Sequence, residues 1–279
     1  ICGVVEAAGD GVSRVRVGDF VTVESHIACG NCYSCRTNRS HVCRHTRYPG
    51  VDIDGGFADY TVLPEQIVIP LPATIDPQAA ALFEPFGIAV HASLEGTGVA
   101  GANVLITGCG PIGLMNIMAA RALGAHKVIA TDINPLRLAQ AEAAGADVCI
   151  NPASEDTVRA VNGITNDNGV DVMIEYSGAA TSLALAADCI TPGGDLRLVG
   201  VPGGDTPLNL ERWLLRGLVV RGIHGRRLHD TWEHAMRLVV DKRVDLTSLV
   251  SHVLPLDEGP RGFALIENGE AIKVLFQPA

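Results

Sequence analysis

One stretch constrains the fold more than any other. Residues 103–107 are a buried-strand run, Gly108-Cys109-Gly110-Pro111-Ile112-Gly113 follows, and an apolar segment at helical spacing then runs to Gly124. Three glycines at this spacing mean little alone. Here they leave a strand and open a helix, which is the setting a dinucleotide pyrophosphate requires. The first glycine permits the tight turn, the second lets the backbone approach the phosphates, and the third lets helix and strand pack closely. The helix start adds unpaired N–H groups that favour an anion. Asp132 ends the next strand, 19 positions after Gly113, where an acid is expected on the adenosine ribose. Its charge would repel a 2′-phosphate, so NAD is expected rather than NADP. Arg137 is placed either toward the adenosine or on a solvated helix face.

Further strands and helices alternate beyond this point. Residues 127–132, 147–151, 170–178, 195–202 and 218–225 read as strands. Helices are expected from Pro135 to Gly145, from about Ser154 and from about Ala180. Asn134 followed by Pro135 is a good helix start. Six apolar strands alternating with helices imply an α/β fold, a doubly wound parallel sheet of Rossmann type covered on both faces. Residues 1 to about 90 differ, with β-like segments at 3–9, 19–25 and 57–64 and no strong helical period before residues 78–82. After about Leu228 a helix, a short strand, a further helix and a last strand read as a return to the first domain. The expected division is 1–88, 89–228 and 229–279.

Four of the eight cysteines cluster as Cys29, Cys32, Cys35 and Cys43. In a chain without a secretion signal, such a cluster favours metal over disulfides. Four thiolates suit a closed tetrahedral zinc site, structural because no position is left for water. An iron–sulfur cluster is the alternative. Arg36, Arg39 and Arg44 either offset the thiolate charge or are solvated. The net charge of −10 argues against nucleic acid as a general partner. No apolar run approaches the ~20 residues of a membrane span, so no membrane association and a cytoplasmic location are expected. The opening residues ICGVVEAAG read as the middle of a strand, and a missing N-terminal part is expected.

Taken together, the cysteine run, residues 84–91 (EPFGIAVH), the glycine loop and residues 131–134 (TDIN) resemble the zinc-dependent medium-chain alcohol dehydrogenases over essentially the whole chain. The resemblance implies a partial GroES-like β-barrel domain beside the Rossmann domain, with NAD and zinc as cofactors and a small-molecule substrate. It implies a homotetramer, and oxidation of a secondary alcohol with zinc as Lewis acid. By that resemblance Cys29, Cys32, Cys35 and Cys43 are structural zinc ligands, and Ile112, Asp132 and Arg137 touch NAD. Val199, Gly200, Val201, Ile223 and His224 line its nicotinamide half. Glu84 is an acid beside a catalytic zinc whose cysteine and Gly-His-Glu ligands lie upstream in the family. Cys2 is then not the catalytic cysteine, and the chain alone is expected to be inactive. Residues 24–46, 84–91 and 222–232 are most similar to the branch acting on L-threonine, with a polyol branch as the alternative. A non-catalytic zinc module that binds protein or nucleic acid is the reading from outside enzymology.

Several residues have a plainer reading. Glu84 is otherwise a solvated loop carboxylate. His26 is either turned toward substrate or a structural loop histidine. His91 and Trp232 are expected in helix packing. Cys2, Cys109, Cys149 and Cys189 are expected to be ordinary buried thiols, with Cys109 in the glycine loop the most oxidisable.

Overall fold

The computed structural model describes residues 1–278. Contacts divide the chain into two compact units, Ile1–Gly87 with Gly225–Ala279, and Ile88–His224.

The first unit begins with a small antiparallel sheet. β1 (Cys2–Val4) pairs β2 (Phe20–Val23), and β2 pairs β3 (Val68–Pro70). The cysteine loop between β2 and β3 contains only short helical turns, α1 (Tyr33–Arg36) and a 3-10 turn at Ser40–Val42. The segment 57–64 is expected as a strand but joins no ladder. A strand exists only with a paired backbone, and this segment has neither the pairing nor an alternating burial, since residues 57–60 are all exposed. Leu63 packs against the small apolar cores of the unit while Phe57, Tyr60 and Val62 are exposed.

Helix α2 (Pro77–Leu94) is far longer than the helical hint at 78–82, and it carries Pro85 inside it. Its weak periodicity has a physical cause. Ala80, Leu82, Phe83, Phe86, Ala89, Val90 and Ala92 are all fully buried, so the helix is apolar all round and shows no stripe. Glu84 therefore lies on a helix, which corrects the loop reading.

The second unit holds β4 (Asn103–Thr107), α3 (Pro111–Ala122), β5 (Lys127–Thr131), α4 (Pro135–Ala143), β6 (Val148–Ile150), α5 (Thr157–Ile164), β7 (Val170–Glu175), α6 (Ala180–Ala184), α7 (Ala186–Cys189), β8 (Ile190–Leu198), α8 (Leu210–Leu215) and β9 (Val219–Gly222). Asn134 caps α4 by accepting from the Leu136 and Arg137 N–H groups, and Asp156 does the same for Arg159 at α5. The helix expected from Ser154 starts at Thr157 because that cap is Asp156, and the one expected at Ala180 breaks into two short pieces.

All six strands are parallel, in the order β6-β5-β4-β7-β8-β9. This is the doubly wound order, and the switch point falls between β4 and β7, where ligands bind beyond the carboxyl ends of the strands. Leu105, Ile129, Met173 and Leu196 meet in the core beneath.

The tail runs through α9 (Asp230–Val240), β10 (Val250–Pro255), α10 (Gly259–Glu267) and β11 (Lys273–Gln277), with β10 and β11 a parallel pair. Among the described residues, no helix is long and apolar enough to cross a membrane.

Candidate functional site

Three clusters of chemistry-bearing residues emerge, two in the first unit and one in the second. The cysteines form the most compact of them. The Sγ atoms of Cys29, Cys32, Cys35 and Cys43 all lie within 4.8 Å of one another, and they are the one group of possible metal ligands found among the described residues. Cys32–Cys35, Cys32–Cys43 and Cys29–Cys35 are separated by 3.5, 3.8 and 4.0 Å. A tetrahedron of thiolates ~2.3 Å from zinc has edges of ~3.8 Å, so the four thiols fit the ion.

The backbone prepares the charge. The Cys29 and His45 N–H groups donate to the Cys43 sulfur at 3.4 and 3.3 Å. For Cys43, desolvation raises the pKa, but those N–H groups outweigh it and the thiol sits below its ordinary value. Backbone hydrogen bonds from Cys35 and Arg44 bring Cys32 down to about 6. Desolvation and bonds to Cys32 and Cys43 push Cys35 up to about 12. Arg36, Arg39 and Arg44 are exposed. Arg39 lies over the Tyr33 ring and donates to Thr37, so it is turned away from the thiols.

The second cluster surrounds Glu84. Arg226, fully buried, donates from Nη1 to the Glu84 carboxylate at 2.8 Å and to the Glu84 carbonyl at 3.1 Å. Ser25 Oγ donates to Glu84 at 2.8 Å. Arg226 is held in turn by Glu24, which takes Nε at 2.7 Å and Nη2 at 2.5 Å. Glu24 is buried and also accepts from the Trp232 indole at 2.7 Å and the His26 N–H at 2.8 Å. Desolvation raises the Glu24 carboxyl, yet the bonds from Arg226 and His26 and the Arg226 charge outweigh it and hold it far below the usual carboxylate range.

His26 is thus a buried member of this network, with Nδ1 2.7 Å from Glu24, and its ring meets Tyr48 edge-on. Trp232 is core, stacked on Phe83. Beside Glu84, a cavity of about 250 Å³ is lined by Ser25, Ala81, Pro85 and Lys273. Burial pushes the Lys273 ammonium down, and Glu84 opposes that. Glu24 and Arg226 fall in the segments 24–46 and 222–232 that carry the resemblance, but the resemblance assigns them no role, and Lys273 carries no motif; only the fold reveals what they do.

Glu84 is not part of any group of three metal ligands among the described residues, and its carboxylate is engaged by Arg226 and Ser25. The residues present do not by themselves make a metal site there, so no step is assigned to a metal at Glu84.

The third cluster is the glycine loop. Gly108 has φ +89°, and a Cβ on Gly113 would lie 2.0 Å from the Gly108 carbonyl, so both positions need glycine. A Cβ on Gly110 would meet nothing within 4 Å, which leaves the cap of α3 open to a ligand. Asp132 is buried and braces the loop. It accepts the Cys109 N–H at 2.7 Å and the Asn134 N–H at 2.8 Å, one on each oxygen. Each oxygen keeps a lone pair for a ribose hydroxyl.

Arg137 lies 3.9 Å from Asp132, and Ile112 is half-buried at the start of α3. Val199 and Gly200 lie just beyond the end of β8, Val201 is exposed after them, Ile223 is buried and His224 is exposed. Cys109 corrects an expectation. It is fully buried, and desolvation with the Asp132 charge pushes its thiol far up, so it is protected from oxidation. Cys189 is equally buried, whereas Cys2 and Cys149 are half-buried. His91 packs in α2 against Glu95.

Comparison with known proteins agrees with this geometry. Residues 1–73 match the family model described as alcohol dehydrogenase GroES-like domain, and residues 111–241 the model described as zinc-binding dehydrogenase. The L-threonine 3-dehydrogenase of Pyrococcus abyssi (strain GE5 / Orsay) is 41% identical over 278 residues, covering 99% of this chain and 80% of that relative. Alcohol dehydrogenase TADH from Thermus sp. ATN1 superposes with a TM-score of 0.93 at 34% identity, covering 100% of this chain and 82% of that one. 2R,3R-butanediol dehydrogenase from Bacillus subtilis gives 0.90 at 28%, covering 100% and 79%. With both family models matched in their expected halves and identity sustained along its length, the chain belongs to the zinc-binding medium-chain alcohol dehydrogenase family and is an oxidoreductase of that type.

Proposed function

We propose that the chain serves an NAD-dependent oxidation of the secondary hydroxyl of L-threonine to 2-amino-3-oxobutanoate. Whole-length similarity to a relative named L-threonine 3-dehydrogenase carries the substrate reading. Asp132 beside the glycine loop carries the cofactor reading. NAD, when bound, accepts the hydride leaving C3, and the hydroxyl proton passes to solvent.

The chain's own residues position the reactants. Gly108, Gly110, Ile112 and Gly113 receive the pyrophosphate on the N-terminus of α3. Asp132 takes the adenosine ribose, and Arg137 flanks it. Val199, Gly200, Val201, Ile223 and His224 line the nicotinamide half. Glu84, fixed by Arg226 and Ser25, is the acid of the substrate side. Cys29, Cys32, Cys35 and Cys43 hold one structural zinc. The residues proposed as the substrate domain are 1–88 with the return at 229–279, and the NAD domain is 89–228. The family reading gives a cytoplasmic homotetramer, checked by light scattering.

A polyol reading is favoured by one observation, the likeness to 2R,3R-butanediol dehydrogenase. Substrate profiling separates the two. L-threonine is expected to exceed 2,3-butanediol and sorbitol in kcat/KM, and the reverse order would reject the threonine reading. The cofactor reading has its own test. Asp132→Ala removes hydrogen bonds to a charged acceptor, worth ~1.5–3 kcal/mol each, together with the repulsion of a 2′-phosphate. NADH affinity is expected to fall at least ~10-fold with little change for NADPH, read by fluorescence titration. Unchanged discrimination would remove Asp132 from the ribose.

A further inference from the structure

Glu175, the last residue of β7, has no part in any motif and is fully buried. A carboxylate buried at a strand end needs donors, and this one draws them from the loop after β7 and from Thr107 at the end of β4. Its Oε1 accepts the Ser177 N–H at 2.8 Å, the Gly178 N–H at 3.1 Å, the Thr107 hydroxyl at 3.4 Å, and the Ser177 hydroxyl. Oε2 accepts the Gly178 N–H at 3.0 Å. The Glu175 carbonyl takes the Val199 and Gly200 N–H groups at 2.9 and 2.8 Å.

The glycines nearby show how tightly the loops interlock. A Cβ on Gly108 would lie 2.8 Å from the Ser177 nitrogen. One on Gly178 would lie 2.5 Å from the Val201 carbonyl oxygen, and one on Gly200 would lie 2.4 Å from the Gly178 nitrogen and 2.8 Å from Glu175 Oε2. The ends of β4, β7 and β8 are therefore stacked backbone to backbone around one carboxylate. These ends border the crevice at the switch point of the sheet, on the side away from Asp132.

We propose that Glu175 is a positioning residue that fixes the loops after β7 and β8 under the nicotinamide half of the dinucleotide, while the adenosine half depends on Asp132 and the glycine loop. The proposal rests on the dinucleotide reading of this crevice. Glutamine cannot replace the carboxylate here. With its carbonyl oxygen kept in the Oε1 position, the Gly178 N–H keeps the 3.1 Å bond there but meets an NH₂ donor where Oε2 stood. The loop would then turn away from its place beside Val199–Val201.

The test is a pair of titrations on the folded protein, NADH by fluorescence and AMP by competition. Glu175→Gln is expected to weaken NADH at least tenfold and AMP less than twofold, with the circular dichroism spectrum retained. Ser177→Ala, which removes the hydroxyl donated to Glu175 Oε1, is expected to give the same split in smaller measure and serves if Glu175→Gln fails to fold. Equal weakening of NADH and AMP would mean general loosening and would overturn the proposal, as would unchanged NADH affinity. If the unaltered protein binds neither NADH nor AMP, the dinucleotide reading itself fails.

Discussion

Arg226→Ala is expected to destabilise the first unit by about 3–5 kcal/mol, because it strands the buried Glu24 carboxylate without its cation. The cost arises from what is left behind more than from what is removed. Glu24 accepts two bonds from Arg226 and further bonds from Trp232 and His26. With the guanidinium gone, a charge remains in an apolar setting beside Phe83 and Trp232. Thermal melting should fall by on the order of 10 °C. The double variant Glu24→Gln/Arg226→Met should recover part of the loss, since no buried charge is then left at position 24, while Glu84 keeps only Ser25. A loss below ~1 kcal/mol in the single variant would show that the pair is dispensable.

The same pair makes stability depend on pH in a defined direction. Glu24 is held far below its ordinary value near 4.5. A group depressed in the folded state contributes stability above the unfolded pKa and loses it as pH falls toward the folded one. Melting temperature should therefore be steady above about pH 5 and decline steadily below about 4.5. In the Glu24→Gln/Arg226→Met variant that part of the acid slope should be absent. An unchanged slope would place the acid sensitivity in other carboxylates.

These buried networks mark where sequence reading stops. Local rules sufficed for most of the Rossmann half. Its strands are short apolar runs, α4 starts at the Asn134–Pro135 cap, and Gly108 and Gly113 leave no room for a Cβ. Those signals are short-range, so they survive without knowledge of the fold. The Asp156 cap of α5 and the break of the helix after Ala180 escaped those rules. Glu24 and Arg226 are 202 positions apart, and no periodicity links them. The helix α2 was nearly invisible because a helix buried all round has no polar face to set a period. Residues 57–64 differ in another way, since strand identity depends on a distant backbone partner, and this segment is β-like in composition but unpaired and exposed over 57–60. Cys109 was misjudged for the same reason. Its place in a glycine loop suggested access, but its burial is set by β5 and Asp132.

Zinc removal should have a large effect of a different kind, local and protease-sensitive. The cysteine loop contains one four-residue helix and one 3-10 turn, Ser40–Val42, neither with a buried residue, so little apolar packing holds it. Structural zinc sites of this type carry apparent binding free energies on the order of 10 kcal/mol, far more than such a loop can gain from burial. One zinc and no iron per chain is expected by metal analysis, and a visible charge-transfer band with iron would favour the cluster alternative. Chelated protein, or Cys43→Ser, should lose order between residues 28 and 47. Arg36, Arg39, Arg44 and Arg47 are exposed there, and trypsin should cut at them at least ~100-fold faster, equivalent to ~2.7 kcal/mol of opening. The direction of the pH effect follows from Cys35, raised to about 12. Its thiol must lose a proton to bind, so zinc retention should weaken as pH falls. NADH affinity should stay within twofold throughout, because the glycine loop and Asp132 lie in the other unit. Trypsin cleavage unaffected by chelation would mean that the four thiols hold their geometry without the ion.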